Sequence, residues 1–519
     1  MREYTDKIVL LIKRILLLLL AFQLVRLFFF IVNYNFFSDE QAVEILSIFF
    51  YGTRFDYATI VYYNGLFLLI SILPFSFTQI RSWQTVLKTL YVSINSFLLF
   101  ADMGDAVYFG FSNKRTTADF FSSTGQVTDL ILLLPKYLSD FWFVPLCAIL
   151  ILAILIFLYP KAKNSNKPNI RIKPGGILQR VSVWAIFLIT ATMIYFFARG
   201  FNLKPVRIIT ASEYVEAKNI PLVLNTGFSL ITTISSDVLP VYNFFESVEL
   251  EKIYPVTKDY SANSEFRKLN VIIIILESFG KEYIGSFNNN KGYTPFLETM
   301  LDKGTNCTNA FANGRRSMEA LPAIISGIPA LTLSPFITSQ FASNEISGIP
   351  ALLKRKGYHT SFFHGGRTGT MGFDYFTRLA GIDNYFGKED YPYEEGFDGN
   401  WGIFDEEYFS YFNSMVSSFP EPFFSCFFSL SSHHPYKVPP KYENKFDEGT
   451  LEIHKSVQYA DFALKKFFEA AQKESWYKNT IFVITADHTS QTKEKKYQTR
   501  SGAYQIPLLF FQPGDSTMQ

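Results

Sequence analysis

The chain has 519 residues, 48% of them apolar, 18% aromatic and 18% charged, which is too long for one ordinary domain and too apolar for a disordered or purely soluble protein. Its net charge of +2 conceals an asymmetry: 18 Lys/Arg face 11 Asp/Glu up to Arg199, and 30 face 35 beyond it. The basic excess lies among membrane-length apolar runs rather than on an amphipathic or aromatic-interleaved face, which excludes nucleic acid as a partner, and Cys147, Cys307 and Cys426 are too scattered for a disulfide framework or a thiolate zinc site.

Five apolar stretches, at 15–32, 57–77, 90–111, 141–159 and 181–197, reach the roughly 17–25 residues needed to cross a bilayer. They predict a transmembrane domain of five helices over residues 1–199. The first run is too long for a cleaved signal peptide, contains Gln23 and Arg26, and precedes four more. Loop charge sets the orientation. Arg2, Lys7, Lys13 and Arg14 at the N-terminus, and Lys161, Lys163, Lys167, Arg171, Lys173 and Arg180 between spans four and five, predict cytoplasmic sides. Asp39, Glu40, Glu44, Asp119, Asp129 and Asp140 mark the opposite side, diluted by Lys114, Arg115 and Lys136. An odd number of spans then places the rest of the chain outside the cytoplasm. Arg26, Asp56, Asp102 and Asp105 fall within or at the rims of spans, where a charge either pairs within the bundle or serves a function.

Residues 200–265, with Pro205, Pro221 and Pro240, read as a connector at the membrane surface. From 266 onward short, wholly apolar runs alternate with helical and turn segments, the pattern of strands buried on both faces of a mostly parallel sheet flanked by helices. Strands are expected at 271–276, 360–363, 423–430 and 481–485, with a further one at 507–511, and a helix at 459–471.

Each of the first four strands stops near a reactive side chain: Glu277, His364, His433, and Asp487 with His488. Ligands in open α/β sheets bind beyond the carboxyl ends of the strands, so these residues are expected to converge. Two carboxylates and an imidazole suit one divalent ion such as Mn²⁺, Mg²⁺ or Zn²⁺. Ser317, in Ala312-Asn-Gly-Arg-Arg-Ser317, would open a helix running to about Ile325, where free backbone amides favour an anion or a developing alkoxide. Spacing alone leaves Ser317 equally readable as an ordinary N-cap with Glu319 as a first-turn acid, and Glu277 as a helix cap or surface charge. His359 and His454 read as surface or structural, and His434 as packing beside Pro435.

Together the segments 270–278, Asn313-Gly-Arg-Arg-Ser317, Ser431-Ser-His-His-Pro-Tyr436 and Thr485-Ala-Asp-His488 resemble the lipoteichoic acid synthase family of membrane phosphoglycerol transferases, within the alkaline phosphatase and sulfatase superfamily. The front-half pieces Gly52-Thr-Arg-Phe-Asp56 and 105–115 are similar to that family too. The resemblance implies that Glu277, Asp487 and His488 bind one metal, commonly Mn²⁺, and that Ser317 completes the coordination and is the nucleophile. It implies that His433 lies near the transferred group, and gives Arg316 a weaker substrate-binding role. Three departures stand out. Ser317 is followed by Glu319 and Leu321, not by the Pro and Arg that formylglycine maturation needs. The family's glycerol-phosphate pocket uses an acid, a tryptophan and an arginine shortly after a His-Gly motif, whereas the stretch here reads His364-Gly-Gly-Arg-Thr-Gly-Thr-Met-Gly-Phe-Asp374, so those residues do not transfer, the head group stays open, and Arg367 is the candidate replacement. The chain also stops at Gln519, so the resemblance implies either a truncated C-terminus or a short last subdomain.

The expected activity is metal-dependent transfer of a phosphoglycerol group through a covalent phospho-serine. The donor would be a phospholipid such as phosphatidylglycerol, the acceptor a polyol, glycan or lipid, and the site the outer face of a bacterial cytoplasmic (inner) membrane. A phosphodiesterase or sulfuric ester hydrolase, or a phosphoethanolamine transferase, would use the same residues; a scaffolding module is the reading without catalysis.

Overall fold

The computed structural model describes residues 2–121, 138–162, 177–200, 205–234, 239, 244–255, 266–332 and 334–515. Asp129, Lys136, Lys163, Lys167, Arg171 and Lys173, which carry much of the expected orientation, and Pro240 of the expected connector, lie outside the described residues. The chain divides into two compact units, Met1–Val238 with Thr338–Glu345, and Leu239–Ile337 with Ile346–Gln519.

In the first unit a helix covers most of each expected span: α1 (Arg2–Val32), α2 (Ala42–Ser71), α3 (Arg81–Ser112), α4 (Phe143–Phe157) and α5 (Ile177–Arg199). The entry to α2 is set by Glu44, whose carboxylate accepts the Gln41 amide at 3.0 Å. The five-span count is not carried by length and composition: among the described residues, three helices are long and apolar enough to cross a membrane, at Tyr4–Val32, Arg81–Gly110 and Arg180–Arg199. Helix α4 has 15 residues, short of a full crossing, and α2 carries Glu44, Arg54 and Asp56.

The charges within these helices are paired. Arg26 makes a bidentate contact with Asp56 at 2.6 and 2.8 Å, and donates to the carbonyls of Leu222 and Val223, each at 2.9 Å. Arg115 reaches Asp102 at 2.8 Å, Asp105 at 3.2 Å and the Pro221 carbonyl at 2.7 Å. Gly52 leaves room for this arrangement, since a Cβ there would overlap the Arg26 guanidinium. The stretch read as a surface connector thus begins buried: Ile220 to Ser229 are packed inside this unit, with the amide of Thr226 and the side chain of Asn225 donating to Asp102 and Asp56. The buried arginines pair with carboxylates and also bond backbone carbonyls, so each charge is compensated within the unit.

The second unit is built on a seven-stranded sheet. Its strands are β1 (Asn270–Leu276), β2 (Thr305–Asn306), β3 (His359–His364), β4 (Asn384–Phe386), β5 (Phe423–Phe428), β6 (Thr480–Ala486) and β7 (Leu508–Phe511), in the order β2-β7-β6-β1-β5-β3-β4. Strands β6, β1, β5, β3 and β4 run parallel, while at one edge β7 pairs antiparallel with β6 and β2 antiparallel with β7. Strand β1 is central, and Ile272 to Leu276 are at most 4% exposed, which explains its unbroken apolar run. Helices α6 (Pro295–Leu301), α7 (Ser317–Ser326), α8 (Asp405–Val416) and α9 (His454–Ala471) accompany the sheet. An aromatic layer joins them to it: Phe409 stacks on Phe427 of β5 at 3.8 Å between centroids and on Phe467 of α9 at 5.1 Å. Register then does the positioning. Leu276 pairs with Ala486 and His364 with Phe428, so β1, β3, β5 and β6 release their next residues at one edge of the sheet.

Candidate active site

Glu277 follows β1 and Asp487 follows β6, so they leave neighbouring strands side by side, each 1% exposed. His488 comes next, and Ser317 arrives at the N-terminus of α7. The serine Oγ lies 3.2 Å from Glu277 Oε2 and 3.4 Å from His488 Nε2, which is itself 3.1 Å from Asp487 Oδ2 and 3.7 Å from Glu277 Oε1. Glu277, Asp487 and His488 offer ligand atoms all within 4.8 Å of one another. The convergence expected from the strand ends is therefore present in the geometry of these four residues.

Ser317 is free for this task because it does not cap its helix. The N-cap is Arg316, and Glu319 accepts the amides of Arg315 and Arg316 at 2.8 and 3.2 Å. Glu319 also grips the Arg316 guanidinium through Nε at 3.0 Å and through Nη2. Arg316 has extended backbone (φ −134°, ψ 142°), and both Arg315 and Arg316 are exposed. The arginine whose charge opposes protonation of His488 is Arg315, a residue that the sequence reading passed over.

The donor set fits a cation. His488 Nδ1 lies 2.8 Å from the Thr489 carbonyl, which can only accept, so Nδ1 carries the proton and Nε2 turns a lone pair toward the carboxylates. Asp487 Oδ1 accepts the amides of Ser278 and His488, both at 2.7 Å, while its buried Oδ2 lies 3.1 Å from His488 Nε2 and among the described residues meets no hydrogen-bond donor at bonding geometry. Such an orphaned buried oxygen facing a second carboxylate is unfavourable unless positive charge stands between them. Burial and the neighbouring Glu277 push the Asp487 carboxyl well above the usual carboxylate range. For His488 burial opposes the charge, yet Asp487 and Glu277 outweigh it and raise the imidazole.

Three serines hold Glu277, one at its carboxylate and two at its backbone. Ser278, in the left-handed region at φ 60°, donates Oγ–H to Glu277 Oε1 at 2.7 Å; Ser429 Oγ accepts the Glu277 amide at 2.8 Å; Ser432 Oγ donates to the Glu277 carbonyl at 2.5 Å. These supports escaped the sequence reading because an isolated serine carries no periodic signal; the adjacency of Ser278 to Glu277 and of Ser432 to His433 was the available clue. His433 is the half-buried residue next to Ser432, with Nδ1 2.8 Å from the His434 carbonyl. Arg367 is exposed on the loop after β3. His364 is buried within the sheet end, and His454 is structural, stacked on Tyr293 at 3.8 Å.

Residues 269–518 match the Sulfatase family model. The chain is similar to Lipoteichoic acid synthase 2 of Bacillus subtilis (strain 168), with 25% identity over 427 residues, 78% of this chain and 62% of that protein. Lipoteichoic acid synthase-like YvgJ of the same organism is 26% identical over 227 residues, 42% of this chain and 36% of its own. The matches thus span 62% and 36% of the lengths of these curated relatives. Among solved structures, the lipoteichoic acid synthase LtaP from Listeria monocytogenes aligns at 19% identity with a TM-score of 0.44, covering 49% of this chain and 67% of that one.

Proposed function

We propose that the protein is a membrane-bound, metal-dependent phosphoglycerol transferase that takes its group from a phospholipid such as phosphatidylglycerol and passes it to a polyol, glycan or lipid hydroxyl. The observation that carries the reading is the meeting of Ser317 Oγ with Glu277, Asp487 and His488 at the strand ends. The names of the curated relatives support the substrate class. Glu277, Asp487, His488 and Ser317 hold one divalent ion, Mn²⁺ by family resemblance, with Mg²⁺ and Zn²⁺ equally served by these donors. When bound, that ion neutralises charge on the phosphoryl oxygens and lowers the pKa of the hydroxyl.

The chain's own groups do the remainder. Ser317 Oγ forms a bond to phosphorus as the bond to the diacylglycerol oxygen breaks, and the serine proton ends on the released diacylglycerol. An acceptor oxygen then bonds to phosphorus as the Oγ–P bond breaks, and the acceptor's proton ends on Ser317. His433, beside the cluster through Ser432, serves the departing and incoming oxygens. Arg316, tied to Glu319, supports α7, while Arg315 and Arg367 offer charge to the phosphate. Loop charge supports a cytoplasmic N-terminus, a membrane domain over 1–199 that includes α2 and α4 as crossings, a connector over 200–265, and an extracytoplasmic catalytic domain over 266–519.

The test is purified protein with labelled phosphatidylglycerol. Diacylglycerol release that needs a divalent ion and falls by about 10³-fold or more in Ser317→Ala is expected; undiminished release in that variant removes Ser317 from its role. Head-group competition with phosphatidylethanolamine separates a phosphoethanolamine transferase, and product analysis with and without a polyol separates a hydrolase.

A further inference from the structure

Trp401 lies outside every motif that the sequence singled out, yet it is fixed against the edge of the site. The indole is 43% exposed, unusual for a tryptophan held so firmly. Its loop is set by Asp398, whose Oδ1 accepts the amides of Asn400, Trp401 and Gly402 at 2.7, 2.8 and 3.1 Å. The indole N–H donates to the His434 carbonyl at 2.7 Å, and the ring meets the His433 imidazole at 4.6 Å between centroids, inclined at 64°. His433 Nδ1 lies 2.8 Å from the same His434 carbonyl. One acceptor therefore takes protons from both rings.

A carbonyl oxygen can only accept, so His433 Nδ1 is the protonated nitrogen and Nε2 carries the lone pair at the far side of the ring. The 431–436 loop is pinned beside the cluster from two sides, by Ser432 Oγ on the Glu277 carbonyl at 2.5 Å and by Tyr436 hydroxyl on Ser490 Oγ at 3.2 Å. From this geometry we infer that Trp401 is a positioning residue: by sharing the His434 carbonyl and bracing the imidazole, it holds His433 in the tautomer and orientation that present Nε2 to a substrate hydroxyl. The inference rests on the transferase reading for what the hydroxyl belongs to, but not for the orientation of the ring.

Trp401→Phe keeps an aromatic face and removes the N–H. In the full-length protein, kcat for diacylglycerol release should fall about five- to tenfold, the scale of one lost hydrogen bond, with KM, bound metal and Tm unchanged. In a His433→Ala background the same substitution should have no further effect. Independently of turnover, the freed imidazole should react several-fold faster with diethylpyrocarbonate, followed at His433 by peptide mass spectrometry. An unchanged His433 modification rate, or Trp401 and His433 effects that simply add, overturns the inference. A wild-type protein that releases no diacylglycerol overturns the transferase reading and leaves the modification experiment to decide the role of Trp401.

Discussion

Asp487 Oδ1 accepts the Ser278 amide at 2.7 Å, across 209 positions of sequence. That bond satisfies Oδ1, while Oδ2 lies 3.1 Å from His488 Nε2 and among the described residues has no donor of its own. Two buried carboxylates so placed fit a bound cation.

Metal should stabilise the protein because the unfolded chain has no such socket. A ligand at a hundred times its Kd adds about 2.7 kcal/mol, so Tm should drop by several degrees after chelation and recover on adding Mn²⁺. Asp487→Asn should abolish the recovery and reduce bound metal well below one per chain by elemental analysis. Equal metal content in that variant would remove Asp487 from the ligand set.

The two adjacent arginines should behave oppositely. Arg316→Ala loses the Glu319 clasp, and as its side chain is 52% exposed the cost should stay near 0.5–1 kcal/mol in thermal unfolding, with turnover largely kept. Arg315→Ala should leave Tm unchanged and lower kcat by about tenfold or more, since a cation facing the phosphate stabilises charge that develops during transfer. A larger loss of turnover in the Arg316 variant would reverse the assignment.

His454 should make the catalytic unit acid-sensitive. Its Nδ1 accepts the amides of Thr450 and Leu451 at 3.1 and 3.2 Å, and burial, followed by Lys493, holds the imidazole down at about 4 against an ordinary 6.5. Below pH 6.5 the unfolded chain takes up a proton that the folded one refuses until about 4. Stability is therefore full above pH 6.5 and declines through that window, by roughly 1–2 kcal/mol after allowing for local relaxation. Thermal melts at pH 7 and 5 should show the decline, and His454→Gln should flatten it; an equally steep decline in the variant would show that other groups carry it.

Much of the architecture was legible beforehand because apolar runs report burial directly. The strands expected at 271–276, 360–363 and 481–485 are β1, β3 and β6 to within a residue at each end, and α7 begins at Ser317 and ends one residue past Ile325. Strands β2 and β4, of two and three residues, escaped because so short a segment has no period to read. Arg26, Asp56, Asp102 and Asp105 were visible as charges within or at the rims of apolar runs, but their partners were not: Arg115 was read as a loop charge, and the carbonyls of Leu222, Val223 and Pro221 lie nearly two hundred and just over one hundred residues from the arginines they accept.

At the site, residue type and strand-end location marked out Glu277, Ser317, Asp487 and His488, since donors for a hard cation and a hydroxyl at a helix start are chemical properties of single residues. Which arginine faces the cluster, whether Ser317 caps its helix, and how His433 is oriented were decided only on folding. Those are questions of direction, and a side chain's direction follows from the backbone dihedral at Arg316, the Leu276–Ala486 register and a shared carbonyl at His434, none of which a linear pattern encodes.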